Sequence, residues 1–108
     1  MTLNQYMKDA NAILSLNIDW NANLDANKNY QMLLQSAKMM LAGLHIGYDI
    51  LPTQEIESKF SRLTILYGIL SEYTFAAGMF NQWKIYSKKY ADNFFKDKTV
   101  GQTRVMPA

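Results

Sequence analysis

Residues 52–78 read PTQEIESKFSRLTILYGILSEYTFAAG, and the fold turns on this run. Ile56, Phe60, Leu63, Leu66, Tyr67, Leu70, Tyr73, Thr74 and Ala77 recur at helical spacing and make one face. Ile65 and Ile69 widen that stripe, so the run predicts a helix that is apolar on more than one side, the central and most buried one. Pro52 and Thr53 suit its start, with Glu55 and Glu57 in a first turn that favours negative charge. Ala76-Ala77-Gly78 predicts its stop, because glycine takes a positive φ without strain.

On the C-terminal side, Phe80, Trp83, Tyr86, Tyr90 and Phe94 predict a last helix over about 80–95 with its rings turned inward. On the N-terminal side, LHIGYDIL (44–51) alternates apolar and polar residues, which predicts a short extended segment. One short strand is not stable alone. The segment is therefore an irregular connector, or it pairs with the same segment of a neighbouring copy. Before it, Tyr30, Leu33, Leu34, Ala37, Met40, Leu41 and Leu44 give a second helix, ended by Gly43 and Gly47 and capped by Asp25 or Asn27. Met32 and Met39 lie off that stripe and suggest a second buried face. NIDWNANLDANKN (17–29) begins as a loop, since asparagine and aspartate side chains compete for nearby backbone. Ile18, Trp20 and Leu24 would pin it to the core. Thr2-Leu3-Asn4-Gln5 reads as a capping box opening a first helix over about 3–15.

The prediction is an all-α fold: a small bundle of about four helices, a short extended connector, and an extended C-terminal tail. The domain spans 1–97 and the tail 98–108. At 108 residues the chain is one domain with a modest core. Apolar residues make up 49% and charged residues 19%, which argues for a folded chain rather than a disordered one. No apolar run reaches the roughly 18 residues that span a bilayer, and the opening MTLNQYMKDAN lacks the basic start and apolar stretch of a secretory signal. There is no cysteine, which removes disulfides and thiolate chemistry together.

Charge is unevenly spread. Residues 1–78 carry five Lys/Arg against seven Asp/Glu, whereas residues 79–108 carry six against two. Docking onto an acidic partner or a head-to-tail assembly would use that asymmetry. An ordinary solvated helix face would also produce it. Lys84 and Lys88 project together, and with Lys96 they form a basic face for a neighbouring subunit or for another partner.

No catalytic constellation is evident. His45 is the only histidine, and with no cysteine and only Asp49 and Glu55 near it no metal site is predicted. HExxH, GxSxG, P-loop and GxGxxG patterns are absent, and Glu55 and Glu57, two apart, diverge on a helix. The expectation is no enzyme, no cofactor and no metal. Trp83, Tyr86, Tyr90 and Phe94 could be a stacking platform for single-stranded nucleic acid, but the spacing favours a core face.

The final stretch, Thr99-Val100-Gly101-Gln102-Thr103-Arg104-Val105-Met106-Pro107-Ala108, has no helical period. Val100, Val105 and Met106 could anchor on a partner and Arg104 could pair with a carboxylate there, the segment ordering on binding. The alternative is a frayed end.

Four stretches taken together resemble a known family. They are LNQYMKDANAIL, MLLQSAKMMLAGLHIGYDI, the pair LPTQEIESKFSRLTILYGILSEYTFAAG and QWKIYSKKYADNFF, and the basic tail with Arg104, Met106 and Pro107. Their order is similar to that of the head-to-tail connector, or adaptor, proteins of tailed bacteriophages, especially the helical adaptors of short-tailed phages. The resemblance covers most of the chain in order and size. It implies a structural virion protein that forms a ring, expected to be a dodecamer, beneath the portal protein. It further implies portal docking through Thr99, Val100, Gln102, Thr103, Arg104, Val105, Met106 and Pro107. A downstream tail or nozzle protein would attach below, and DNA would pass through the channel without sequence recognition. The implied location is the head–tail junction, with assembly in the host cytoplasm and no membrane involved. Two rival readings are a small helical nucleic-acid-binding or regulatory protein that uses the basic last helix, and an interaction module of a bacterial complex.

Overall fold

The computed structural model describes the backbone of residues 1–105 and the side chains of residues 1–98. Among the described residues there are four helices, α1 (Leu3–Leu14), α2 (Lys28–Gly43), α3 (Arg62–Ala76) and α4 (Phe80–Val105), and one 3-10 turn at Leu24–Ala26. The all-α reading with four helices stands. Among the described residues there is no strand, only an isolated antiparallel bridge between Thr2 and Glu55.

α1 begins as its sequence dictates. The Thr2 hydroxyl accepts from the Gln5 amide at 3.2 Å, and the Gln5 side chain accepts from the Thr2 amide at 2.7 Å. Such a reciprocal cap contributes on the order of 1 kcal/mol. Of the two candidate caps for α2, Asn27 is the one used, its side chain accepting from the Tyr30 amide at 2.9 Å.

α3 is the centre. It packs against α1, α2 and α4, and Ile65, Ile69 and Leu70 are buried all but completely. That explains the wide apolar stripe: a helix with neighbours on several sides needs apolar residues on several sides. Gly68 lets α2 come close, since a Cβ there would stand 2.6 Å from the Met40 Sδ. Gly78, at φ +73°, closes α3 as expected, and α4 then doubles back along α3.

Three segments and the burial of Met32 and Met39 differ from the sequence reading. α3 starts at Arg62, not near Pro52. Residues 52–56 spend their backbone groups on the N-terminal segment instead: the Asn4 amide donates to the Pro52 carbonyl at 2.9 Å and the Ile56 amide to the Met1 carbonyl at 3.0 Å. The Met1 ammonium also pairs with Glu55. Ser61 supplies the cap, accepting from the Thr64 amide at 3.2 Å. Ile56 is buried all the same, from an irregular segment, while Leu63 faces outward.

The alternating segment after α2 is not extended. His45 sits at φ 59°, its amide donates to the Ala42 carbonyl at 3.0 Å, and the Ile46 amide reaches the Leu41 carbonyl at 2.9 Å. These two bonds close α2 in a Schellman motif, with His45 in the left-handed position usually given to glycine. Met32 and Met39 are not buried in this fold. Lastly, α4 runs through Lys98 and on to Val105, further than its period predicts. Extending an existing helix by one residue is cheap compared with starting one. Met106, Pro107 and Ala108 lie outside the described residues.

Candidate functional site

α4 meets α3 along one seam. Tyr86, Tyr90 and Phe94 are half-buried there, and among the described side chains of α4 none is fully buried. Tyr86 stacks on Tyr67 with ring centres 6.4 Å apart, and Phe94 stacks on Phe60 at 5.5 Å. The aromatic series is therefore a packing face, as the spacing favours, and not an open platform for bases. The ammonium of Lys89 lies 5.4 Å from the centre of the Tyr67 ring, and that of Lys98 lies 4.7 Å from the Phe94 ring. Among the described residues, α4 touches α3 alone of the helices.

A polar lock closes the far end of the seam. One carboxylate oxygen of Asp97 accepts from the Ser61 amide at 3.0 Å and from the Thr64 hydroxyl at 2.6 Å. Ser61 and Thr64 hydroxyls are themselves 2.9 Å apart. An acidic residue of α4 thus completes the N-terminal cap of α3, where the helix dipole favours negative charge. No spacing rule could have found this pair, which is 33 residues apart.

The predicted site residues fall on α4 beyond this seam. Lys84, Lys88 and Lys96 are all exposed. At 100° per residue they share the half of the helix turned away from the rings. Thr99, Val100, Gln102, Thr103, Arg104 and Val105 continue α4 as helical backbone, and their side chains lie outside the described ones, as do Met106 and Pro107 entirely.

Comparison with known protein families, with characterised proteins and with solved structures finds no match. The chemistry of the surfaces therefore carries the functional reading.

Two apolar patches were not foreseen as exposed. At the turn between α3 and α4, Phe75 lies 6.1 Å from Phe80 and 5.6 Å from Trp83, ring centre to ring centre. Phe75 is 58% exposed and Phe80 55%. The run Tyr73–Trp83 contains no Asp, Glu, Lys, Arg or His, and this is the signal that was available in the sequence. On α2, Met32 is 38% exposed and Met39 51%. Between them, Gln35 exchanges hydrogen bonds with the Tyr48 hydroxyl at 3.0 Å and 3.2 Å, and the Lys38 ammonium sits over the Tyr48 ring.

A cleft of about 330 Å³ lies where α1 and α3 begin, lined by Tyr6, Glu55, Glu57, Phe60, Arg62 and Ile65 among others. Burial raises the Tyr6 phenol above 10.0, opposed by nearby Arg62. Burial also raises Tyr30, Tyr73 and Tyr90, so these phenols stay neutral in the folded chain at ordinary pH. Glu55 is already engaged by the Met1 ammonium, and Glu57 is exposed. Among the described residues no group of three His, Cys, Asp or Glu side chains could hold a metal ion. His45 is exposed on its turn. No described helix is long and apolar enough to cross a membrane.

Proposed function

We propose that this chain is a structural virion subunit, a head-to-tail adaptor that forms a ring beneath a portal protein and docks to it through the C-terminal part of α4 and the residues after it. The observation that carries this reading is the one-sided attachment of α4. Among the described residues, a 26-residue helix packs on α3 alone, and its backbone continues eight residues past the Asp97 lock. It also bears Lys84, Lys88 and Lys96 on its outer side. A bundle built this way presents a basic helix to another molecule instead of burying it.

The docking segment is helical backbone through Val105 where the sequence suggests an extended tail. As a continuation of α4 it would enter a groove as a helix, which demands less ordering on binding than a loose decapeptide. Each subunit then contributes one modest contact, and a ring multiplies it. A ring also requires two different surfaces on each subunit, and the aromatic turn and the α2 methionines are separate apolar patches of that sort. DNA would pass without base recognition, and a net charge of +2 keeps the channel subunit near neutral.

The test is binding of purified portal by the full chain and by a chain lacking Thr99–Ala108. The shortened chain should melt like the full one and lose portal binding. Equal portal binding by both would remove the docking role. A second reading rests on the same three exposed lysines, which would suit nucleic-acid phosphates. Salt-sensitive duplex binding by a monomer, lost on changing Lys84, Lys88 and Lys96 to Glu, would favour that reading instead.

A further inference from the structure

We propose that the turn after α3 is a hinge and that α4 exchanges between two copies of the chain, each α4 packing on the α3 of the other. The inference goes beyond the adaptor reading and stands without it. Three residues, Ala77–Met79, join the two helices. Their path is closed by a Schellman motif: the Met79 amide donates to the Thr74 carbonyl at 2.8 Å and the Gly78 amide to the Phe75 carbonyl at 3.2 Å. The motif uses the left-handed φ of +73° at Gly78, and a Cβ there would meet nothing within 4 Å. The reversal of the chain therefore rests on one backbone conformation and not on packing around it. With that conformation changed, α4 leads away from its own α3.

The seam that α4 would leave is fitted to an α4. Tyr67 takes the Tyr86 ring, Phe60 takes the Phe94 ring, and Ser61 and Thr64 take the Asp97 carboxylate. The α4 of a second copy carries the same groups at the same spacing and restores every one of these contacts. Detaching α4 disturbs no other helix, because among the described residues it packs on α3 alone. The closed chain and the exchanged pair then differ in the hinge and in the freedom lost on association, so concentration and residue 78 decide between them. In the pair the two hinges cross beside the two-fold axis, where each residue lies near its own counterpart and a charge would face itself. The run Tyr73–Trp83, centred on Gly78, carries no charged residue. The first charges outside it, Glu72 and Lys84, have opposite signs and stand equally far from Gly78, so helices passing antiparallel bring each toward the other.

The chain has no native cysteine, so one disulfide can report the exchange. Full-length Ser61→Cys/Asp97→Cys protein is prepared reduced, with glycine at 78, with Gly78→Ala and with Gly78→Asn. Dimers are separated by gel filtration, oxidised, and run denatured without reductant. A closed chain forms the disulfide within itself and runs as a monomer, whereas an exchanged pair is tied into a covalent dimer. A side chain such as alanine disfavours the left-handed conformation about tenfold. Two hinges open per pair, so Gly78→Ala should raise the dimerisation constant about a hundredfold. Asparagine, which adopts that conformation more readily, should raise it far less. Covalent dimers increasing in this order are the expected result. Dimers whose oxidised chains run as monomers are surface contacts and would overturn the exchange. So would a Gly78→Ala chain that stays monomeric, or equal rises for alanine and asparagine. Circular dichroism checks that helix content is kept. If Gly78→Ala loses helix, the chain with glycine at 78, refolded at high protein concentration, gives the same reading: covalent dimers support the exchange and monomers alone overturn it.

Discussion

α3 and α4 are the two arms of one hairpin, joined across Ala77–Met79, yet they are held in opposite ways. α3 has neighbours on several sides and buries Thr64, Ile65, Gly68, Ile69, Leu70, Tyr73 and Thr74. Among the described residues, α4 has α3 alone of the helices and no side chain fully buried. The first arm is stabilised by volume excluded from water, the second by a line of rings and one carboxylate. A helix attached on one side opens more easily than one enclosed, and its remaining faces stay available for other contacts. In this bundle stability and presentation are assigned to different arms.

The sharpest way to break that comparison is to truncate one apolar side chain in each arm. Ile69→Ala removes three carbons from a site with no exposure and should cost about 2–5 kcal/mol, through lost transfer energy and the cavity left behind. Phe94→Ala removes more atoms from a half-buried site that solvent can refill, and should cost only about 1 kcal/mol. Urea denaturation with a shared slope measures both. Equal losses would mean that the seam is as enclosed as the core and that the two arms are not different.

A smaller effect should come from the lock. Asp97→Ala leaves the Ser61 amide and the Thr64 hydroxyl without their acceptor. Hydrogen bonds to a charged group contribute about 1.5–3 kcal/mol when well shielded, and at this partly exposed site about 1 kcal/mol is expected. The location of the loss says more than its size. Amide exchange should speed up in the second half of α4 and the first turn of α3 while α1 and α2 keep their protection. An even rise over all four helices would show that the lock belongs to the global fold and not to one arm.

What could be read in advance follows the range of the interactions. The capping box at Thr2 and Gln5, the inward rings of Tyr86, Tyr90 and Phe94, and the positive φ of Gly78 are all set within a few residues, and each is found. The start of α3 was misplaced because its competitor is distant: residues 52–56 bond to residues 1–4, and nothing near Pro52 in the chain announces that. The Asp97 lock escaped for the same reason. Among the candidate site residues, the outward lysines were legible from helical angle alone. The aromatic turn was not, because an uncharged aromatic run reads as core unless the neighbours that fail to cover it are known. Met32 and Met39 carry the same ambiguity, since a second apolar face is a core face or a docking face depending on what lies across it.

His45 gives the smallest and most local test, because it holds a strained position in the turn that ends α2. At φ 59° a side chain with a Cβ carries a penalty of about 1–2 kcal/mol, relieved in glycine but partly offset by the entropy that glycine loses on folding. His45→Gly should therefore stabilise the chain by about 0.5–1 kcal/mol, with α2 still closed by the amides of residues 45 and 46. His45→Ala, which keeps the Cβ, should change little. The pair of melting curves is informative in either direction. A gain confined to glycine identifies backbone strain as the whole cost of this residue. A loss in both variants would mean that the imidazole itself holds the turn, and the end of α2 would then join the Asp97 lock as a place where one exposed polar side chain, not the apolar core, fixes the path of the chain.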